Sequence, residues 1–152
     1  MTHTPATVAQ LAEIAGARVV GGSANTDQLS ITDVSLNSRD IEPGGLFAAL
    51  PGTQVHGAVY AADTPAAAIL TDDEGLAILQ SNDQAPERRP ILVVDNVRAI
   101  LGAVSAEVYG HPSKDLTILG VTGTSGKTTT SYLLERGLMA AGHTVGLIGT
   151  TG

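Results

Sequence analysis

The spacing of apolar positions divides the chain into short elements of different period. Val8, Leu11, Ile14 and Ala15 follow the 3–4 spacing of one helix face, with Thr7 placed to cap its start and Gly16 to stop it. Val19-Val20, closed by Gly21-Gly22, reads as a short strand. The alternation from Ile31 to Leu36 predicts an edge-like strand, followed by the turn residues Asn37-Ser38-Arg39-Asp40. Pro43-Gly44-Gly45 is a second turn before Leu46-Phe47-Ala48-Ala49-Leu50, which Pro51-Gly52 ends. That run, with 66–70 and 91–94, is continuously apolar over strand length, the pattern of strands covered on both faces. Helices are expected over 74–80 and 97–109, the second with Val97, Ile100, Leu101, Val104 and Val108 on one face and Gly110-His111-Pro112 as its stop. Residues 81–90 read as a polar surface loop.

The remaining pattern carries chemistry. A strand over 116–121, a Gly-rich loop over 122–129, a helix over 130–141 and a strand over 144–148 make one βαβ unit with a phosphate loop at its first turn. Glycines let the backbone wrap closely, so that successive N–H groups and the helix start face phosphate oxygens. The motif assigns Lys127 to the β- and γ-phosphates of a nucleotide and Thr128 to Mg²⁺. It is a variant, since the strict spacing asks for Gly where Val121 stands. Tyr132, Leu133, Leu134 and Leu138 are expected to be helix packing. The stop at Gly110-His111-Pro112 divides an α/β chain into domains 1–112 and 113–152.

Composition narrows the classes. A chain of 152 residues can hold one medium domain or two small ones, and its net charge of −7 argues against a broad grip on nucleic acid. Three Tyr, one Phe and no Trp also remove stacking platforms for single strands. Without cysteine there are no disulfides, thiolate nucleophiles or Cys-based zinc sites, and His3, His56, His111 and His143 are scattered. Asp72-Asp73-Glu74 reads as the acidic first turn of a helix rather than a metal cluster. The N-terminus lacks a secretory pattern, and no apolar stretch approaches the ~20 residues that span a bilayer, so a soluble, cytoplasmic protein without membrane contact is expected.

Two blocks carry a family resemblance. Val121-Thr-Gly-Thr-Ser-Gly-Lys-Thr-Thr-Thr130 resembles the ATP loop of the Mur ligases, usually Thr-Gly-Thr-Asn-Gly-Lys-Thr-Thr. Upstream, Leu36-Asn37-Ser38-Arg39, Pro43-Gly44-Gly45-Leu46-Phe47-Ala48-Ala49-Leu50 and Gly52-Thr53-Gln54-Val55-His56-Gly57 are similar to the Asp-Ser-Arg, Pro-Gly-Asp-Leu-Phe-Val-Ala and Asp-Gly blocks of the family's N-terminal domain. Asn37 and Ser125 depart from the usual Asp and Asn, both mildly.

The resemblance implies a small mixed-sheet domain that binds a UDP-linked substrate, over 1–112, followed by the first βαβ unit of an ATP-binding central domain, over 113–152. It covers about the first third of a family member, so the chain by itself is expected to be inactive. ATP and Mg²⁺ are implied at Gly123, Thr124, Ser125, Gly126, Lys127, Thr128 and Thr129, with Lys127 catalytic and Thr128 a metal ligand. Leu36, Ser38, Gln54, Val55 and His56 are implied to hold the uridine nucleotide. On residue type alone, each of these five is an ordinary turn or loop residue.

Gly146-Leu147-Ile148-Gly149-Thr150 favours the branch that adds the third amino acid to UDP-N-acetylmuramoyl-L-alanyl-D-glutamate through an acyl phosphate. Six Arg against two Lys, with abundant Ala and Gly, lean towards meso-diaminopimelate as that amino acid. A monomer is expected. The alternatives are the neighbouring ligase that adds D-alanyl-D-alanine and a non-catalytic nucleotide-binding module. Folylpolyglutamate synthase fits less well, because its loop continues Gly-Lys-Gly-Ser.

Overall fold

The computed structural model describes residues 4–81 and 88–149. It separates into one compact unit ending at Asp115 and a second beginning at Leu116.

In the first unit, strands β2 (Arg18–Val20), β4 (Asp33–Ser35), β5 (Gly45–Ala48), β6 (Ala68–Thr71) and β7 (Ile91–Val93) form one mixed sheet in the order β2-β7-β6-β5-β4. All neighbours are parallel except β2, which runs antiparallel to β7. A separate antiparallel pair joins β1 (Ala6–Thr7) to β3 (Ser30–Ile31). The alternation over 31–36 is therefore two strands in two sheets. Ile31 is fully buried in the first, and Asp33 begins a new ladder with Gly45 in the second.

Helices cover both faces of the large sheet. α1 (Val8–Ala15) and α3 (Val97–Val108) pack with Leu46, Ala48, Ala68, Leu70 and Leu92 on one face. α2 (Asp73–Gln80) and a 3₁₀ helix over Gly57–Asp63 pack with Phe47, Ala49, Ile69, Ile91 and Val93 on the other. Successive strand residues point to opposite faces, and both faces are dry. That is why the inner strands β5 and β7, and β6 up to Leu70, carry no polar side chain.

Local signals set the helix ends. Thr7 and Gln10 form a reciprocal capping box on α1, and Gly16 closes it in the left-handed conformation at φ 60°. Val8 and Leu11 are buried, whereas Ile14, expected on the same face, is exposed. Asp72 caps α2 and Asn96 caps α3 through their side chains. His111 sits at the end of α3 at φ 54°, its Nε2 2.8 Å from Glu107.

The loop expected over 81–90 falls mostly on 82–87, outside the described residues. Its end is not a solvated surface. Arg89 donates to the carbonyls of Ala61, Thr64 and Ala66 at 2.8, 2.9 and 3.2 Å, tying the end of the 3₁₀ helix to the approach of β6.

The second unit departs from its expectation. α4 (Lys127–Ala140) forms, but 116–121 and 144–148 carry no strand pairing. α4 has no buried residue, and Tyr132, Leu133 and Leu134, expected to pack, are exposed. A strand exists only through its ladder partner, and parallel strands persist only where helices cover both faces. One helix and two apolar segments cannot supply that cover for one another.

Candidate functional site

β4 and β5 are adjacent and parallel, so the loops that follow them leave from the same end of the sheet. In open α/β sheets this carboxyl end is where ligands bind. The first loop carries Leu36 and Ser38, the second Gln54, Val55 and His56.

The first loop is held by its own side chains. Ser35 Oγ accepts from the Asn37 N–H at 3.0 Å, and Asn37 Oδ1 accepts from the Arg39 N–H at 3.1 Å. The Asn37 amide also donates to Asp40 at 2.6 Å. An aspartate at this position could accept from Arg39 but would set a second carboxylate against Asp40. The Asn-for-Asp departure thus makes a bond that Asp cannot make. Leu36 stands exposed at the tip, and among the described residues the Ser38 hydroxyl has no hydrogen-bond partner.

In the second loop Thr53, Gln54 and Val55 are exposed at a tight turn closed by Gly52 N–H to Val55 O at 3.2 Å. His56 is different. It is 7% exposed, and both ring nitrogens are bonded inside the protein, to the Ala58 N–H and to Asp72 Oδ1, each at 3.0 Å. Both ring nitrogens of His56 are thus spent on partners inside the protein. Asp72 went unnoticed as its partner because 16 residues separate them and only the sheet order brings them together.

The edge strand β4 has one further contact that sequence reasoning missed. The Tyr109 hydroxyl donates to Asp33 at 2.5 Å and accepts from the Val34 N–H at 3.2 Å, occupying a ladder position at the open edge. Its bond to the Asp33 carboxylate, above all, pushes the phenol above its ordinary value; the Val34 bond opposes this, and burial and the Asp33 charge add to it.

The phosphate loop lies in the second unit. Gly126 takes φ 75° at the start of α4, and no side chain caps that helix, so its first N–H groups are not spent on a cap. Lys127 Nζ spans the loop to the Gly123 carbonyl at 2.6 Å. Uncapped N–H groups and an ammonium fit a polyphosphate. Among the described residues there is no group of three or more His, Cys, Asp or Glu that could hold a metal. Thr128 therefore offers one hydroxyl and no built cage.

A sequence profile described as Mur ligase family, catalytic domain, matches residues 30–109, more than half of the chain. The chain belongs to the Mur ligase family. Among its relatives are proteins named UDP-N-acetylmuramoyl-L-alanyl-D-glutamate–2,6-diaminopimelate ligase. The one from Corynebacterium glutamicum is 58% identical over 127 residues, covering 81% of this chain and 24% of its own. The one from Streptomyces coelicolor is 47% identical over 146 residues, covering 94% of this chain and 27% of its own. This Mur ligase chain thus spans about a quarter of those relatives. A crystal structure of MurF from Acinetobacter baumannii superposes with TM-score 0.64 over 92% of this chain and 29% of that one, at 23% identity. The likeness to MurF is one of fold alone. No helix among the described residues is long and apolar enough to cross a membrane.

Proposed function

We propose that this chain supplies the uridine-nucleotide pocket and the ATP loop of an ATP-dependent ligase of peptidoglycan precursor synthesis. The ligase joins meso-diaminopimelate to UDP-N-acetylmuramoyl-L-alanyl-D-glutamate. The observation that carries this reading is the 58% identity to a relative so named, over a segment that includes the loops after β4 and β5. Residues 1–112 are assigned the UDP-linked substrate and 113–152 the opening of the ATP-binding domain.

In the first step an oxygen of the D-glutamyl γ-carboxylate bonds to the γ-phosphorus of ATP and the bond to ADP breaks, leaving an acyl phosphate. The incoming amine then bonds to the acyl carbon, loses a proton and expels phosphate. Phosphoryl transfer asks the protein mainly for positioning and charge stabilisation. Lys127 and the N–H groups of 123–129 serve that end, where charge builds on the phosphoryl oxygens. Thr128 would help hold Mg²⁺, which when bound would shield the phosphate charges. Leu36, Ser38, Gln54 and Val55 bind the distant nucleotide and so set where the carboxylate falls.

Titration of UDP-N-acetylmuramoyl-L-alanyl-D-glutamate into the chain, followed by calorimetry, tests the pocket. Saturable binding that UDP competes away, and that Ser38→Ala or Gln54→Ala weakens, is the expected result. No binding, or binding that both variants leave unchanged, removes the assignment.

A further inference from the structure

The loop after β5 is an exposed tip on a buried base. Pro51 and His56 pair across its neck, and the Gly57 N–H donates to Leu50 O at 2.8 Å. Inside the base, His56 Nδ1 accepts from the Ala58 N–H, so the ring proton sits on Nε2 and is donated to Asp72 Oδ1. The same carboxylate oxygen accepts from the Gly75 N–H at 2.9 Å and caps α2. Beside it the Thr71 hydroxyl donates to Ala49 O at 3.1 Å. Two side chains thus tie the segment leaving β5 to the segment leaving β6. There is no slack around them, for a Cβ added at Gly75 would lie 2.6 Å from His56 Cε1 and collide with Thr71 Oγ1.

We infer that His56 and Asp72 are a positioning pair for the uridine-nucleotide pocket, fixing the Gln54-Val55 tip at the carboxyl end of the sheet before ligand arrives. The inference rests on reading that tip as substrate-binding. A loop held in its bound form spares the ligand the cost of ordering it, so losing the tie appears as lost affinity. A buried bond of purely structural use would lower stability and leave affinity alone.

Three substitutions separate these outcomes. His56→Asn keeps an acceptor for the Ala58 N–H but is too short to reach Asp72. Asp72→Asn keeps an acceptor oxygen for both donors, and Asp72→Ala keeps none. Binding of UDP-N-acetylmuramoyl-L-alanyl-D-glutamate to the chain is expected to weaken about tenfold in His56→Asn and in Asp72→Ala, no further in the double variant, and little in Asp72→Asn. Exchange of the Gly52 amide, which is bonded to Val55 O across the tip, should rise in His56→Asn while the Arg39 amide, in the other loop, does not change. Folded variants with wild-type affinity overturn the inference, as does unchanged exchange at the tip. If the wild-type chain binds no uridine nucleotide, the pocket reading fails by itself, and the exchange measurement still decides whether the pair fixes the tip.

Discussion

Single residues account for most of the chemistry assigned here, and their consequences are the sharpest. On the proposed function, Lys127→Ala in the ligase would remove a charge-assisted contact that strengthens as charge builds on the phosphoryl group. kcat should fall by ~10²–10³ with the fold intact, and steady-state assay with circular dichroism checks both. Ser38→Ala should raise KM for the UDP-linked substrate and leave KM for ATP unchanged, because the proposed function gives this loop to the uridine nucleotide alone. Movement of both constants together would mark Ser38 as structural. Tyr109→Phe removes the hydroxyl bonded to both Asp33 and the Val34 N–H, at a cost of about 0.5–1.5 kcal/mol in chemical denaturation. The phenol is raised in the folded state, so its contribution is full below the unfolded value of about 10 and is lost as pH climbs through the higher folded value. Wild type and Tyr109→Phe should therefore converge in stability in strong alkali and differ at neutral pH.

Elements show how one substitution reverses sign with its surroundings. Gly75 and Gly102 both lie inside helices, where Ala is ordinarily better by roughly 0.5–1 kcal/mol. A Cβ on Gly102 meets nothing within 4 Å, so Gly102→Ala should raise the thermal midpoint. A Cβ on Gly75 would collide with Thr71, itself buried and bonded to Ala49 O, so Gly75→Ala should cost ~1–3 kcal/mol or more. Thermal melts of the two variants side by side test this. Sequence alone ranks the two glycines equally.

At the scale of the whole molecule, the two units differ in what they bury. The first holds two apolar clusters on opposite faces of its sheet, whereas Ile118, Leu119, Leu133 and Ile148 of the second are exposed. Hydrogen exchange should give strong protection in β5, β6, β7 and α3 and weak protection throughout 116–149, and a dye for exposed apolar surface should bind. Protection equal through 144–148 would mean that the strands expected there do form. The fold of the first unit was legible because caps, turns and apolar runs are local signals that agree with the tertiary arrangement. The split at Thr32 was not, since one alternating run looks the same whether it stays in one sheet or changes sheets.

By itself the sequence determined the helix ends at Thr7 and Gly16, the both-faces-buried strands, the two glycine-rich blocks and the family they resemble. Each depends on residues a few positions apart, and short-range physics reads them directly. Tertiary structure alone decided that His56 is spent on Asp72, that Tyr109 closes the edge at Val34 and that Arg89 gathers three carbonyls. It also decided that 116–121 and 144–148 stay unpaired. Partners 16 to 75 positions apart meet only when strand order is set, and the burial that gives a polar side chain its partner, or a strand its ladder, is a property of that order.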